Sequence, residues 1–349
     1  MISYQVEAFG KPLAQALRDT PTPQGTEVLL RIESSGVCHS DVHLQDGYFE
    51  LGGGNKLDLS RTMALPRTLG HEIAGRVVAL GPDAQGVAIG DQRVAFPWIG
   101  CGACSVCAAG NEHLCAAPRG LGTQRDGGFS DHVLVPHARY LFDYGSLPQE
   151  QACTLACAGI TAYSALKKVA PLASRDALLI IGAGGVGLSG IRIAREVTGV
   201  APIVAEIDRD KWDLAREAGA AEVIDPSEPD TAKALMKRTG GGVAAAIDFV
   251  GAASSFQFGQ GALRKGGTLV CVGLFGGGVQ VMPALMALRA ISITGSYVGS
   301  LQEMQEVLAL AQAGSLPPLP LVTRQLADAS LVLDALRAGR VRGRAVLKP

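Results

Sequence analysis

The sequence predicts an α/β protein: a β-rich lobe in the first part of the chain and a doubly wound parallel sheet in the second. Three observations carry that expectation. Short apolar runs separated by Gly, Pro and Asp turns fill the first hundred or so residues, as in a barrel-like all-β lobe. From about residue 154 the rhythm changes to apolar strands alternating with amphipathic segments, the pattern of a parallel sheet with crossover helices. A glycine run, Gly182-Ala183-Gly184-Gly185-Val186-Gly187, falls between one such strand and one such helix. At 349 residues the chain has room for about two domains of roughly 150 residues each.

In the first lobe, strands are expected over 27–33, 73–80 and 92–96, bounded by Gly36, Gly81-Pro82 and Gly90-Asp91. Residues 47–66 read as a long loop, broken by Gly52-Gly53-Gly54 and closed by Pro66. Strand character returns at 127–135, and His132 and His137 read as ordinary loop or strand-edge histidines. A helix is expected over 157–166. Strands 177–181, 203–206, 222–224, 244–250, 268–274 and 291–296 then alternate with helices 188–197, 211–218, 231–238 and 254–263. The nearly unbroken apolar character of these strands fits burial on both faces. After Tyr297, helices over 302–313 and 327–338 and a closing strand over 344–347 have no sheet of their own, so this tail is expected to fold back on the first lobe.

Composition narrows the function. A net charge of -1 with 18% charged residues leaves no basic field for nucleic acid or anionic lipid. The most apolar run, 177–191, is interrupted by glycines and does not read as a membrane helix. The amino terminus has no basic region followed by an apolar core, so a cytoplasmic protein is expected. In that compartment eight cysteines argue for metal over disulfides.

The chemistry-bearing stretch is Cys38-His39-Ser40-Asp41-Val42-His43, placed just behind Gly36. A cysteine thiolate binds zinc, a neighbouring hydroxyl can bond to an oxygen the zinc polarises, and a histidine can carry a proton away. Gly70-His71-Glu72 and Cys157 supply further candidate ligands. Separately, Cys101, Cys104, Cys107 and Cys115 are close enough in sequence to surround one tetrahedral zinc in a closed, structural site. A redox pair or unrelated thiols are the alternatives, and four cysteines within fifteen residues argue against both. A nucleic-acid ribbon is disfavoured by surroundings that are neither basic nor aromatic.

The glycine run follows a strand and opens a helix, which is the context a dinucleotide pyrophosphate needs. Glu206, 19 residues after Gly187, stands where an acidic residue holds the ribose hydroxyls. Its charge would repel a 2′-phosphate, so NAD is expected over NADP. Asp208 is a rival for that role, and Arg209 could meet a phosphate.

Together these motifs resemble the zinc-dependent medium-chain alcohol dehydrogenases over essentially the whole chain, and most closely the tetrameric NAD-dependent branch of bacteria and archaea. The resemblance implies a GroES-like catalytic domain over 1–153 and 297–349, with a structural-zinc lobe at 98–118, and a dinucleotide-binding Rossmann domain over 154–296. It implies two zinc ions per chain and NAD as cofactors. Cys38, His71 and Cys157 match the catalytic zinc ligands. Glu72 matches a carboxylate just outside them, and Asp41 the carboxylate that orients His71. Ser40 matches the hydroxyl that takes the alcohol proton and His43 the outer end of that relay. His39 and Arg344 match pyrophosphate contacts, and Gly182, Gly184, Gly185, Val186, Gly187, Glu206, Arg209 and Leu274 complete the cofactor-binding set. Phe96 and Trp98 are expected to line the substrate cleft. Gly120 follows Pro118-Arg119 where that branch often carries a bulky aromatic, which implies a wider cleft mouth.

The implied activity is reversible oxidation of primary and secondary alcohols, bulky or aromatic ones included, to aldehydes and ketones, by a homodimer or homotetramer with 291–296 extending the sheet across the dimer. A polyol or amino-alcohol dehydrogenase is the nearer alternative, against which the apolar-leaning Phe96, Trp98 and Leu274 argue. A non-catalytic protein keeping the fold is the more distant one, against which intact Cys38, Ser40, His43, His71 and Cys157 argue. Cys153 is the rival of Cys157, and the Ala-Gly-Ile-Thr-Ala-Tyr context decides for Cys157. Cys271 reads as part of a buried strand.

Overall fold

The computed structural model describes all 349 residues. Strands 178–181, 203–205, 222–224, 243–248, 263–271 and 292–295 form one six-stranded, wholly parallel sheet. Their spatial order is third-second-first-fourth-fifth-sixth, the doubly wound order that places ligands at the carboxyl ends of the strands. All four residues of 178–181 and all six of 243–248 are buried, because helices cover both faces.

The first lobe is built on a mixed, mostly antiparallel sheet centred on the long strand Val28–Val37. That strand pairs with Glu72–Leu80 along most of its length and with His132–Val135 over its first residues. Its last residues pair with the terminal strand Arg344–Lys348, Val346 lying opposite Gly36. The tail thus returns to the first lobe, and strand 321–325 runs parallel to 344–348 at the edge of the same sheet. This pairing carries Arg344 to the end of 28–37 where Gly36 faces Glu72.

Residues 47–66 are not a plain loop. Tyr48–Gly52 and Asn55–Asp58 pair as an antiparallel hairpin, turning at Gly53 and Gly54 with φ of +63° and +81°. Glycines that look like breakers supply the positive φ a tight hairpin turn demands. The helix expected over 157–166 also differs. Gln149–Thr154 is α-helical, Leu155–Gly159 is a π-helical turn, and Ile160–Lys167 resumes the α-helix. The wide turn falls on the segment bearing Cys157, the placement typical of functional π-bulges. The largest core cluster runs unbroken from the first sheet, through these helical segments, to the parallel sheet.

Candidate metal centre and dinucleotide cleft

Cys38 follows strand 28–37 at the N-cap position of helix His39–Asp46, His71 precedes strand 72–80, and Cys157 lies in the π-helical turn. Sheet pairing of 28–37 with 72–80 brings the first two together, and the third arrives by packing. The ligating atoms of all three lie within 4.8 Å of one another, and all three residues are buried. Cys38 Sγ and Cys157 Sγ are 3.9 Å apart. Sulfurs held tetrahedrally about 2.3 Å from zinc would stand about 3.8 Å apart. His71 Nε2 is buried without a hydrogen-bond partner. An orphaned imidazole nitrogen among two thiols is a donor set that fits zinc, with one coordination position left over.

Asp41 organises this cluster. Its carboxylate is fully buried and accepts from the Cys38 N–H at 2.9 Å and the Gly70 N–H at 3.2 Å, and pairs with His71 Nδ1 at 3.2 Å. The same side chain therefore caps the helix and holds His71 with Nε2 toward the sulfurs. Burial is the largest single influence on His71 and disfavours its imidazolium, but the charge and hydrogen bond of Asp41, together with Cys38, outweigh it and raise His71 well above the usual histidine value. The adjacent Cys157 thiol stabilises Cys38 as a thiolate, so Cys38 is lowered and Cys157 correspondingly raised.

Glu72 and Arg344 form a buried ion pair beside the ligands. The second Glu72 oxygen accepts from the Ala158 N–H at 3.3 Å, next to Cys157. Burial raises Glu72 to about 7, with Arg344 opposing the rise. Gly36 must be glycine because a Cβ there would overlap the Glu72 carboxylate. Gly185 is constrained likewise: its Cβ would lie 2.6 Å from Arg344 Cδ. Arg344 thus runs between the metal-ligand cluster and the glycine turn. In this state its guanidinium is held by Glu72, so the expected pyrophosphate contact requires it to share or exchange that partner.

The glycine turn has the form expected. Gly187 is pressed onto the Gly182 carbonyl, whereas nothing lies within 4 Å of a Cβ built on Gly184, which opens helix 185–198. That bare helix start is a cradle fit for a pyrophosphate. Val186 is half-buried beside it. Glu206 is buried at the end of the second strand, accepting from the Ala183 N–H at 2.6 Å and the Asp208 N–H at 2.8 Å. Asp208 turns instead to Lys211 at 3.2 Å. Arg209 is engaged by Glu228 at 2.8 Å and lies over Trp212. Leu274 is exposed beyond the fifth strand. His39, Ser40 and His43 are half-buried on helix 39–46. The rings of His39 and His43 are 5.2 Å apart, that of His39 4.8 Å from Phe275, and that of His43 4.8 Å from Phe49. Burial lowers both imidazoles.

Two expected cleft residues are elsewhere. Phe96 has no exposure and stacks on Tyr140 at 6.4 Å, inside the main core. Strand 92–95 ends before either residue, so no strand alternation governs them: Phe96 packs into the core, while the Trp98 ring lies 5.3 Å from that of His71. Gly120 does not open the cleft mouth: it is buried, and a Cβ there would meet Thr123 Oγ1 at 2.8 Å and the Pro97 carbonyl at 3.1 Å. Thr123 and Gln124 occupy the space an aromatic would need. Cys153 is fully buried, donates to the Glu150 carbonyl and stands outside the ligand cluster.

The four remaining cysteines converge at the lobe, with Sγ separations of 3.9, 3.5 and 3.8 Å for the 101–107, 104–107 and 104–115 pairs. These fit the edges of a zinc tetrahedron. One supporting residue is not evident from spacing alone. Glu112 is buried, accepts from the Gly100 N–H at 3.2 Å and the Tyr140 hydroxyl at 2.7 Å, and pairs with Arg139, tying the lobe to the barrel. An acidic residue inside a cysteine-rich segment is the signal that could have marked it. Tyr297 is the other: it packs edge-on to Trp98. Its position just after a parallel strand, at the ligand-binding edge, is the corresponding signal.

Fold and donor sets define a zinc-binding dehydrogenase. Family models described as "Zinc-binding dehydrogenase" and "Alcohol dehydrogenase GroES-like domain" match residues 185–313 and 24–144. The NAD-dependent alcohol dehydrogenase of Sulfurisphaera tokodaii is 37% identical over 351 residues, spanning 100% of both chains. That of Saccharolobus solfataricus is 36% identical over the same span and coverage. The crystal structure of the alcohol dehydrogenase from Aeropyrum pernix matches with a TM-score of 0.88 at 30% identity, covering 100% of each chain. The chain belongs to the zinc-binding, medium-chain alcohol dehydrogenase family.

Proposed function

We propose that this protein catalyses the reversible, NAD-dependent oxidation of primary and secondary alcohols to aldehydes and ketones. The observation that carries the reading is the buried Cys38–His71–Cys157 cluster with its unpartnered His71 Nε2, in a chain that also presents a bare glycine turn. Bound zinc supplies a Lewis acid that acidifies an alcohol hydroxyl, and bound nicotinamide supplies the hydride acceptor. The chain's own residues do the rest. Cys38, Cys157 and His71 Nε2 hold the metal, and Asp41 keeps His71 in the tautomer that offers Nε2. Ser40 Oγ accepts the substrate's hydroxyl proton, and His43, one turn along the same helix face, is where it leaves toward solvent. The lowered basicity of His43 favours its neutral, proton-accepting form near neutral pH. Cys101, Cys104, Cys107 and Cys115 hold a second zinc that stabilises the lobe.

Glu206 selects NAD, with its negative charge at the ribose position and Arg209 already engaged by Glu228. Glu72 and Arg344 position the metal ligands against the pyrophosphate turn. The units 1–153 with 297–349, and 154–296, act as catalytic and dinucleotide-binding domains. No helix is long and apolar enough to cross a membrane, and we place the enzyme in the cytoplasm. It acts as a homodimer or homotetramer, a reading supported by the open edge strand 292–295 beside a helix, 283–289, that exposes Leu285 and Leu288.

The test is a panel of primary and secondary, aliphatic and aromatic alcohols with NAD and NADP on zinc-loaded protein. NADH formation that stops when one chelatable zinc of two is removed is expected. No oxidation of any alcohol, or a rate indifferent to that zinc, would refute it.

A further inference from the structure

Two aromatic rings that metal binding does not require stand beside the metal-ligand cluster. Trp98 is half-buried, its ring 5.3 Å from that of His71, and its indole N–H donates to the Ala156 carbonyl at 3.0 Å. That bond fixes the indole against the segment carrying Cys157. Tyr297 meets Trp98 edge-on, with ring centroids 5.9 Å apart and planes inclined by 67°. Tyr297 remains 53% exposed, so its ring is not core.

The backbone around Tyr297 is held in place. Val298 has a φ of +40°, a region that β-branched residues rarely enter, while its side chain is buried. Such a conformation persists only where the surroundings over-determine it. Here the Ser296 N–H donates to the Cys271 carbonyl at 2.9 Å, and a Cβ on Gly299 would lie 2.6 Å from Ile160 Cγ1. The chain is pinned on both sides of the strained residue, and the outcome is the direction of Tyr297.

We propose that Trp98 and Tyr297 form an aromatic corner that selects substrates carrying a flat aryl group beside the reacting carbon, with Tyr297 the specificity-determining residue. The proposal rests on the reading that the alcohol binds on this side of the metal-ligand cluster. Two inclined rings in edge-to-face contact offer an aryl ring packed against them both a face and an edge. Such contacts favour an aryl group over a saturated chain of equal area by about two- to tenfold. The preference needs the ring of Tyr297 and not its hydroxyl.

The experiment compares kcat/KM for benzyl alcohol and 1-hexanol in the zinc-loaded full chain with NAD, for wild type, Tyr297→Leu and Tyr297→Phe. Tyr297→Leu is expected to lose about two- to tenfold on benzyl alcohol, through KM, with hexanol essentially unchanged. Tyr297→Phe keeps the wild-type ratio. An equal fall on both alcohols, or an unaltered ratio in Tyr297→Leu, overturns the proposal. A binding readout separates it from the activity itself: benzyl alcohol should quench a fluorescence component that Trp98→Phe lacks, at a higher half-saturating concentration in Tyr297→Leu. Quenching in a protein that oxidises neither alcohol supports the aromatic corner and refutes the dehydrogenase reading. Oxidation without that quenching overturns the aromatic corner alone.

Discussion

Replacing Asp41 by asparagine keeps the side chain's shape and removes its charge. One Asp41 oxygen serves both the Gly70 N–H and His71 Nδ1, at 3.2 Å each, and the other serves the Cys38 N–H at 2.9 Å. An asparagine has only one carbonyl oxygen for those two sides. Turned toward Gly70 and His71, it sets its own NH2 against the Cys38 N–H. The helix then loses its cap and Cys38 shifts. Turned the other way, it leaves His71 unsupported. In either case His71 loses the charge that raises its basicity. Removing such a partner of a metal-ligating histidine loosens the metal about 10- to 100-fold, or roughly 1.4–2.7 kcal/mol. Titrating the two-zinc protein with a chelator measures this directly, because none of the four lobe cysteines bonds Asp41. One zinc per chain should leave at about 10- to 100-fold lower chelator activity while the second leaves as in wild type. Unchanged release, or equal loosening of both ions, would refute the assignment of Asp41.

Other outcomes follow from the same geometry. Arg344→Met leaves Glu72 buried without its partner and should destabilise the chain by about 3–5 kcal/mol in urea unfolding, toward the low end because Glu72, raised to about 7, can take up a proton. Glu112→Gln should cost about 1–3 kcal/mol and speed loss of the lobe zinc alone, since the Gly100 N–H, Tyr140 and Arg139 all converge on that carboxylate. Phe96→Ala should cost about 3–5 kcal/mol while leaving the benzyl alcohol to hexanol ratio unchanged, because the ring is core. His39 and His43 lie below the usual histidine value of 6.5 because burial disfavours their cations. Their contribution is complete above pH 6.5 and is lost as pH falls through the lowered folded values, so melting temperature should fall there, less steeply in His43→Gln.

Residue identity and local pattern were enough for the chemistry and the fold class. Thiolate, imidazole and carboxylate identities are properties of single residues, and the Cys101–Cys115 spacing and the 182–187 glycine turn are local patterns whose meaning survives without coordinates. The alternation of apolar runs and amphipathic segments after residue 154 was equally legible, since burial on both faces leaves a period that distant contacts do not alter. Tertiary structure decided what faces what. Phe96 and Trp98 are two positions apart, yet only packing shows that the first enters the core and the second stands beside His71. Gly120 marks open space only if nothing else fills it, and Thr123 and Gln124 do. Glu72 meets Arg344 across nearly the full chain because strands 28–37, 72–80 and 344–348 are neighbours in one sheet. Tyr297 became visible only once the strained turn at Val298 had aimed it at Trp98. Bonding capacity resides in the side chain, whereas burial and direction are set by contacts between residues far apart in sequence.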